Sequence, residues 1–442
     1  MLKQRIKYWL FSNKFYKYFI KPFDRILYPV VNASELKEER SENSVPLNKI
    51  PNVADLYNRD WMETLEDMKE VFGMDEKSFH RKKWEFNHIL YSLKKLGYLY
   101  PENKGLAIAA GREQIMYYLA HKISKMVGID LYEGNYIGGE DEMDIPENPE
   151  KYAPFLYPEE NLELIKMNAL DLELKDNSFD FLFSASSIEH FGDSENIIKS
   201  LREMYRVLRP GGAAVITTEI RLNRLACNIP NTRIFKVPDL LNMIEEAGFI
   251  ISRDEIDIKP EGHYLDNWVK LPEEVYKYPH VILRFFRSIF TSLSIVCIKP
   301  GNDVHKGEWK KRTEFPLLKY NGEINVDIDR REYRNGDTAK LKIALKNNGN
   351  FKWFSGGMSH RTAIGVKLLD MNGNEVDPGY GEIVIPSDVD MGERIEFQAE
   401  IPVKGEPGEY QLLIDLKREL VIWFHEKGSK PFKTKISISK DI

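Results

Sequence analysis

Three side chains able to accept a proton, Glu189, His190 and Glu219, follow two short apolar segments of the sequence. Phe179–Phe183 and Ala213–Thr217 are nearly continuous apolar runs, as expected for strands buried on both faces of a parallel sheet. Ligands of such sheets bind beyond the carboxyl ends of the strands, where these three side chains would lie. A histidine with an ordinary pKa of ~6.5 suits general-base catalysis. His190 is therefore the first candidate for a base, and Glu189 and Glu219 are the next.

An amphipathic helix joins the two apolar segments. Asp193 or Ser194 is available as its N-cap, and Pro210-Gly211-Gly212 ends it. Its apolar residues recur at helical spacing, at Ile197, Ile198, Leu201, Met204, Tyr205 and Leu208. Strand, helix and strand form one βαβ unit, with Ser184 at the carboxyl end of the first strand.

Two linked motifs in this unit carry a family resemblance. Asp176-Asn177-Ser178-Phe179-Asp180 precedes Ile188-Glu189-His190, and Arg206-Val207-Leu208-Arg209-Pro210-Gly211-Gly212 follows the helix. These residues resemble the class I S-adenosylmethionine-dependent methyltransferases, in their small-molecule, type 11-like branch. The resemblance implies an α/β fold with a Rossmann-like, doubly wound sheet of seven strands, an edge strand pair whose last member is antiparallel, and S-adenosylmethionine as the cofactor.

The residues before this unit have the features of a cofactor-binding half. They predict a strand at 104–110, a turn at Gly111 and a second strand at 126–129 that ends at Asp130. Asp130 follows Gly111 by 19 residues, close to the ~20-residue offset at which a carboxylate accepts hydrogen bonds from ribose hydroxyls. We predict that Asp130 and the adjacent Leu131 bind the cofactor; the alternative is a solvated aspartate in a turn.

The glycine loop departs from the D-x-G-x-G-x-G pattern of the resembling family. Its sequence from Ala107 to Glu113 is A-I-A-A-G-R-E, which retains only Gly111. Glycine suits such a loop because the backbone approaches the ligand closely and adopts positive φ, and Ala109 adds a methyl group there. Glu113 either contacts the cofactor's amino group or favours the N-terminus of a helix predicted at 113–123. We interpret Ala109, Gly111 and Glu113 as cofactor-binding residues.

A third strand predicted at 164–167 leads into Asn168 and Ala169. The resembling family has D-A here, and its aspartate accepts a hydrogen bond from the adenine amine. Asn168 can still accept through its amide oxygen, although a plain turn asparagine is the alternative. We include Asn168, Ala169 and Ser184 among the cofactor-binding candidates, with Asp171 as a weaker one.

Composition restricts the classes of function. The 442 residues carry a net charge of −6, which argues against a nucleic-acid partner. The two cysteines, Cys227 and Cys297, cannot form a disulfide framework or a zinc site by themselves. We find no metal-ligand spacing, no apolar run of the ~20 residues that span a bilayer and no secretory signal pattern, and we therefore expect a cytoplasmic protein.

Strand alternation replaces helical periodicity in the last third of the chain. Seven strands are predicted, at 323–329, 339–345, 362–370, 381–386, 395–401, 408–417 and 433–440. With turns such as Asn335-Gly336, they predict a β-sandwich of immunoglobulin type. This region resembles the immunoglobulin-like modules attached to bacterial glycosyltransferases and polysaccharide-assembly proteins. Trp353 and Trp423 either stack on sugar rings or pack in the sandwich core.

The N-terminal segment is basic and aromatic. Residues 1–28 carry seven lysines and arginines against one acid, Asp24, a composition that suits a helix lying in a membrane interface or packing on the next domain. We predict four regions: an N-terminal helix and flexible join at 1–48, a methyltransferase domain at 49–300, a linker at 301–316 and the sandwich at 317–442.

The predicted function is transfer of a methyl group from S-adenosylmethionine to a saccharide, a nucleotide sugar or a lipid-linked glycan, with the sandwich holding a glycan or a partner enzyme. The saccharide assignment comes from the proteins in which such sandwiches occur. One alternative is a scaffold for polysaccharide assembly whose altered glycine loop no longer supports catalysis. A nicotinamide-dependent oxidoreductase is disfavoured because G-x-G-x-x-G is missing.

Overall fold

The structure is a computed structural model, and it describes most of the chain from residue 45 onward. The described ranges are 45–68, 73–75, 77–133, 143–223, 229, 231–251, 256–260, 268–271, 274, 277–307, 317–357, 360–419 and 421–439. The basic aromatic segment 1–28 lies outside them, as do Cys227 and residues 261–267. In these ranges no helix is both long and apolar enough to cross a membrane.

The chain divides into two compact units. The first contains the described residues of 1–131 and 158–313, and the second those of 132–157 and 314–442. The predicted boundaries placed 132–157 in the first domain, whereas the structure groups this segment with the C-terminal unit. The segment lies in sequence between β3 and β4, which are neighbouring strands of the first unit. Sequence order alone therefore assigned it to that unit.

The first unit contains a mixed sheet of ten strands. In spatial order, β4, β3, β2, β5 and β6 are parallel, β10 pairs antiparallel with β6, and β1 and β7 follow at the edge, while β8 and β9 extend β10. Their bounds are β1 Asn48–Lys49, β2 Lys104–Ile108, β3 Lys125–Asp130, β4 Leu162–Lys166, β5 Phe179–Ala185, β6 Leu208–Arg221, β7 Ile256–Asp257, β8 Val269–Lys270, β9 Leu283–Phe285 and β10 Ser288–Ile298.

This sheet confirms the predicted parallel core and the antiparallel last long strand, but not the count of seven. Four of the ten strands, β1, β7, β8 and β9, are only two or three residues long. Strands this short are not detected by the alternation of apolar and polar residues. Asn48, assigned from the sequence to a flexible join, is buried and begins β1, which lies between β10 and β7.

The described residues form six α-helices, five of them in the first unit. They are α1 Arg59–Asp67, α2 Arg81–Lys95, α3 Ile115–Ala120, α4 Pro149–Tyr152 in the second unit, α5 Ser194–Val207 and α6 Val237–Glu246. Short 3₁₀ helices span Val53–Tyr57, Glu159–Asn161, Ile188–His190 and Phe424–Lys427. The predicted cap of α5 is confirmed, since the Asp193 side chain accepts a hydrogen bond from the Asn196 N–H. Ile197, Leu201 and Met204 of α5 pack with α6 and the sheet in one core.

The second unit has two β-sheets that share one hydrophobic core. One has three strands, in the order β11-β13-β16, and the other has six, in the order β12-β19-β17-β14-β15 with β18 beside β17. Their bounds are β11 Gly322–Ile328, β12 Glu332–Arg334, β13 Thr338–Asn347, β14 Thr362–Leu369, β15 Glu375–Val384, β16 Arg394–Pro402, β17 Gly408–Arg418, β18 Ile422–Trp423 and β19 Phe432–Ser439. All seven predicted strands are present, and the short β12 and β18 were missed.

The inserted segment 132–157 packs on this second unit through Arg418. The Arg418 guanidinium is buried and donates to the carbonyl oxygens of Lys151 (2.5 Å) and Ala153 (3.2 Å). Phe155 forms an isolated β-bridge with Leu317. A charged donor that satisfies two backbone acceptors is stronger than a neutral one, so Arg418 anchors the insertion.

The two tryptophans of the second unit have different environments. Trp353 is fully buried in the core, so it packs the sandwich and cannot stack on a sugar. Trp423 is half-buried: its ring lies against Gly365 on one side, and Lys367 Nζ is 4.6 Å from the ring centroid.

We predict that Gly365→Ala destabilises the second unit by about 1–3 kcal/mol, the usual cost of overpacking. A Cβ at this position would lie 2.5 Å from Trp423 Cζ3, and the ring would have to move. Gly356→Ala is the control, because a Cβ there meets nothing within 4 Å. Denaturant unfolding followed by tryptophan fluorescence measures both variants, and equal midpoints for the two would contradict the prediction.

Candidate functional site

The predicted cofactor residues lie in loops at the carboxyl ends of β2, β3 and β4. The Gly111 N–H donates to Asp130 Oδ2 at 2.9 Å, which fixes the loop after β2 to the end of β3. Leu131 follows as an exposed side chain. The structure therefore brings Gly111 and Asp130 together, and the role of Asp130 in binding a ribose stays a prediction.

The glycine loop keeps a left-handed conformation despite its alanine. Ala109 has φ of 53° and Gly111 has φ of 44°. The Ser187 hydroxyl donates to the Ala109 carbonyl at 3.3 Å, which connects the loops after β2 and β5. A non-glycine residue at positive φ costs on the order of 1–2 kcal/mol, so strain is stored where the family pattern has glycine.

Asn168 and Ala169 form a tight turn after β4. Asn168 is exposed and its Oδ1 accepts a hydrogen bond from the Leu170 N–H at 2.9 Å, while Ala169 is buried. Ser184 at the end of β5 is fully buried, and its hydroxyl has no hydrogen-bond partner among the described residues. Buried hydroxyls are normally paired, so Ser184 is a suitable ligand contact.

His190 lies apart from the two glutamates with which it was grouped. It is exposed, and its Nδ1 is 2.7 Å from the Asn231 carbonyl oxygen. Because a carbonyl only accepts, Nδ1 carries the proton. Glu189 and Glu219, in contrast, keep only 2% and 4% of their surface exposed.

Glu189 and Glu219 are buried carboxyl groups that repel one another. Glu189 Oε2 accepts from the Thr218 hydroxyl at 2.7 Å, and Glu219 Oε1 pairs with Arg81 Nη1 at 2.6 Å. Burial raises the pKa of both groups; the Glu219 charge raises the pKa of Glu189 further, and Arg81 counteracts the rise at Glu219. Carboxyl groups with raised pKa values in a crevice are candidates for proton transfer near neutral pH.

The N-terminal turn of α2 supplies three charged residues that sequence reasoning missed. The turn starts at His80, whose Nδ1 accepts from the Lys82 N–H at 3.1 Å and caps the helix. Arg81, Lys82 and Glu85 then point toward β5, β6 and β10. The i, i+4 spacing of Arg81 and Glu85 is common on solvated helices, so it carried no signal of a buried site.

Glu85 is the centre of this group and is fully buried. It pairs with Arg81 at 3.1 Å and Lys82 at 3.5 Å. Its oxygens also accept from the hydroxyls of Ser186 at 2.7 Å and Thr217 at 3.2 Å, and from the hydroxyl of Ser292, which joins Glu85 to β10. The two cations and the hydroxyls hold the pKa of Glu85 below its usual range against the effect of burial.

Glu113 connects the glycine loop to the α2 residues. Its Oε1 is 3.7 Å from Lys82 Nζ, and Lys82 also donates to the Ala185 carbonyl at 2.5 Å. Burial raises the pKa of Glu113 to about 8, and the charges of Glu85 and Asp130 add to that rise while Lys82 opposes it. Lys82 thus links the loop after β2 to the loop after β5.

Comparison with known proteins adds a family match to this geometry. Residues 106–216, from β2 to β6, match a family model described as a methyltransferase domain. The 2-phytyl-1,4-naphtoquinone methyltransferase of Nostoc sp. is 32% identical over 98 residues, which are 22% of this chain and 40% of that protein. The demethylmenaquinone methyltransferase of Listeria welshimeri is 46% identical over 52 residues, 12% of this chain and 21% of that protein. The chain thus spans less than half the length of these curated relatives.

Alignments with solved structures cover about half of the chain. The [4+2]-cyclase SpnF is 15% identical with a TM-score of 0.36, and the alignment covers 54% of this chain and 94% of that one. A SAM-dependent methyltransferase from Aquifex aeolicus is 18% identical with a TM-score of 0.28, covering 46% and 86%.

We predict that Ala109→Gly leaves the melting temperature unchanged or raises it, because glycine relieves strain of about 1 kcal/mol at positive φ. The neighbouring Ala110→Gly is the matched control: Ala110 is fully buried and lacks a positive φ, so its variant should lose about 1–2 kcal/mol through the missing methyl group and added chain entropy. Differential scanning calorimetry of both variants tests this. Equal destabilisation of the two would show that the loop does not hold Ala109 under strain.

Proposed function

We propose that the protein transfers a methyl group from S-adenosylmethionine to a small-molecule acceptor. The observation that carries this proposal is the hydrogen bond from Gly111 to Asp130 at the carboxyl ends of β2 and β3. It presents a carboxylate to a ribose beside a tight backbone loop. The methyltransferase-domain match over 106–216 covers the same elements.

The residues present fit this cofactor. Asp130 would accept hydrogen bonds from the ribose hydroxyls, with Leu131 beside it, and Ala109 and Gly111 would offer close backbone approach. Asn168 and Ala169 would face the adenine. Two buried oxygen atoms, Ser184 Oγ and Glu113 Oε2, have no hydrogen-bond partner within the described ranges. They would supply further polar contacts to the cofactor.

Proton transfer from the acceptor is assigned to the pair Glu189 and Glu219. The cofactor supplies an electrophilic methyl group, and the protein supplies orientation and a base. Glu219 Oε2 is buried and has no hydrogen-bond partner in the part of the chain that the structure describes, so it can accept an acceptor's hydroxyl proton. His190 lies at the solvent-exposed rim and is the alternative base.

The acceptor in this proposal is a saccharide hydroxyl. Buried carboxyl groups disfavour an anionic acceptor, so an uncharged sugar or a lipid-linked glycan fits better than a nucleotide sugar. The curated relatives are named for quinone substrates, and the matches cover only 40% and 21% of those proteins. A quinone-derived acceptor therefore belongs in any substrate screen.

The second unit, which we propose to be an immunoglobulin-type sandwich, would serve a partner enzyme in polysaccharide assembly. Glycan stacking on Trp423 is not favoured, because the ring lies against Gly365 and Lys367 Nζ is 4.6 Å from the ring centroid. A cytoplasmic location, with peripheral membrane contact through residues 1–28, completes the proposal.

A second candidate function is a scaffold that no longer catalyses, and the alanine at position 109 favours it. Its φ of 53° places a methyl group in the loop where the resembling family has glycine. Calorimetry with S-adenosylmethionine separates the two functions, since an enzyme must bind the cofactor and a scaffold need not.

We predict that Asp130→Ala weakens binding of S-adenosylmethionine and S-adenosylhomocysteine by at least tenfold. A lost hydrogen bond to a charged group costs about 1.5–3 kcal/mol. Asp239→Ala, an exposed change in α6, is the control and should leave both affinities unchanged. Isothermal titration calorimetry gives the affinities, and an unaltered affinity in folded Asp130→Ala protein would reject this site.

We predict that Glu219→Gln lowers the single-turnover rate on a hydroxyl acceptor by roughly 10²-fold, the usual contribution of a general base. Binding of S-adenosylhomocysteine should stay within a few-fold, since glutamine keeps the shape of the side chain. His190→Ala is measured alongside. A normal rate in Glu219→Gln with a 10²-fold loss in His190→Ala would transfer the role of the base to His190.

A further inference from the structure

We propose that the buried carboxyl groups beside the glycine loop form a cation site that recognises the sulfonium of S-adenosylmethionine, and that Glu113 or Glu189 gives up a proton when this charge binds. The neutral thioether of S-adenosylhomocysteine would leave that proton in place. This inference rests on the proposed function and extends it to a charge-selective step at the same site.

The site has more carboxyl groups than cations. Four carboxyl groups and two basic groups make up the cluster: Glu85, Glu113, Glu189 and Glu219 with Arg81 and Lys82. Like charges buried together cannot all ionise without a large cost. Two of the four acids must therefore hold protons or meet a further cation.

The two basic groups, Arg81 and Lys82, form short ion pairs with only some of the four carboxyl groups. Arg81 is 2.6 Å from Glu219 and 3.1 Å from Glu85, while Lys82 is 3.5 Å from Glu85. Glu113 has only the longer contact of 3.7 Å with Lys82. Within the described ranges Glu189 makes no ion pair and receives one hydroxyl hydrogen bond, from Thr218. Glu113 and Glu189 are thus the acids left without adequate compensation.

Unpartnered oxygen atoms provide a second, independent indication of a ligand. Glu219 is 4% exposed, and its Oε2 has no hydrogen-bond partner among the residues described. Its Oε1 is fixed by Arg81. Among the charged neighbours of Glu189, Glu219 raises the pKa of Glu189 the most. Glu113 Oε2 is likewise buried and unpartnered over the same ranges. Native proteins leave few such atoms, and Lys82 and Glu85 are charged neighbours of both carboxyl groups.

Topology places the two uncompensated acids on both sides of one crevice. The chain proceeds from β2 to β3 and β4 on one side, and β5 and β6 lie on the other. The crevice at such a reversal of strand order is where α/β sheets bind ligands. Glu113 follows β2 and Glu189 follows β5, and the Ser187–Ala109 hydrogen bond joins the two loops.

The protonation state follows from the groups that face each acid. Glu113 faces Lys82, Glu85 and Asp130, and burial raises its pKa to about 8. For Glu189, burial and the Glu219 carboxyl group raise the pKa, while the Thr218 hydroxyl and the more distant Lys82 lower it. Near neutral pH these acids hold protons in the ligand-free protein.

The exchange balances as a simple ionisation. The O–H bond of a carboxylic acid breaks, the proton passes to solvent, and the carboxylate remains beside the ligand cation. No electron is transferred and no further reactant is needed. After methyl transfer the sulfur is neutral, so the carboxylate regains a proton and loses its attraction for the product.

Calorimetry of the full-length protein with three ligands tests the proposal. S-adenosylmethionine carries a positive charge at its sulfonium, and sinefungin carries one at the corresponding position. S-adenosylhomocysteine has no charge there, and the other ionisable groups of the three ligands are the same. Titrations at pH 7 in two buffers of different ionisation enthalpy give the number of protons released. We expect up to about one more proton released with each cationic ligand than with S-adenosylhomocysteine.

The pH dependence of affinity has a defined sign. A cation binds the ionised carboxylate, so the preference for S-adenosylmethionine over S-adenosylhomocysteine should increase as pH rises from about 6 toward 8. Exchange of one full proton corresponds to ~tenfold per pH unit by linkage. Above the ligand-free pKa the ratio should level off.

Matched variants locate the proton. Glu113→Gln and Glu189→Gln each remove one ionisable group without changing side-chain shape, and at least one should abolish the difference in proton release. Glu173→Gln, an exposed position, should retain it. If Glu113→Gln and Glu189→Gln do not fold, the number of protons that the wild-type protein releases with each of the three ligands still tests the proposal.

Equal proton release for all three ligands, with all three binding, would overturn this inference and leave the proposed function standing. Failure of every ligand to bind would instead reject the proposed function itself. A difference in proton release that persists in both Glu113→Gln and Glu189→Gln would overturn the assignment to these residues.

Discussion

Burial of Glu85 among Arg81, Lys82 and three hydroxyl groups is the interaction on which the site depends. Glu85 belongs to α2, and its hydroxyl donors come from the loop after β5, from β6 and from β10. Removing one member of a buried pair leaves an uncompensated charge, at a cost of about 3–5 kcal/mol. These contacts therefore fix α2 against the carboxyl ends of the strands, and that position brings Arg81 to Glu219 and Lys82 to Glu113.

The sequence predicted the elements whose signals are local. Asp193 caps α5 as expected, and β2 and β3 form where the apolar runs at 104–110 and 126–129 predicted strands. The seven strands of the second unit follow from alternation of apolar and polar residues. Where one residue type determines a local conformation, the prediction holds.

The remainder depends on contacts between residues far apart in sequence. Glu85 and Thr217 are 132 residues apart, and Arg418 binds the carbonyl of Lys151 across 267 residues. Neither contact leaves a periodic or composition signal, so α2 resembled a solvated helix and 132–157 resembled part of the first domain. The two-residue β1 is too short for alternation to register. The roles of the candidate site residues remain predictions, since geometry places side chains but does not assign their chemistry.

The charge imbalance and the strained loop have a common physical meaning. Ala109 at positive φ and the uncompensated acids Glu113 and Glu189 each reduce the stability of the ligand-free protein. A fold tolerates such conflicts when the rest of its core is well packed, and they concentrate at functional sites. Here both conflicts lie in the loops after β2 and β5, at the reversal of strand order. A ligand that brings a positive charge and covers the loop backbone would relieve the electrostatic conflict, so part of its binding free energy would come from the destabilised state that it replaces.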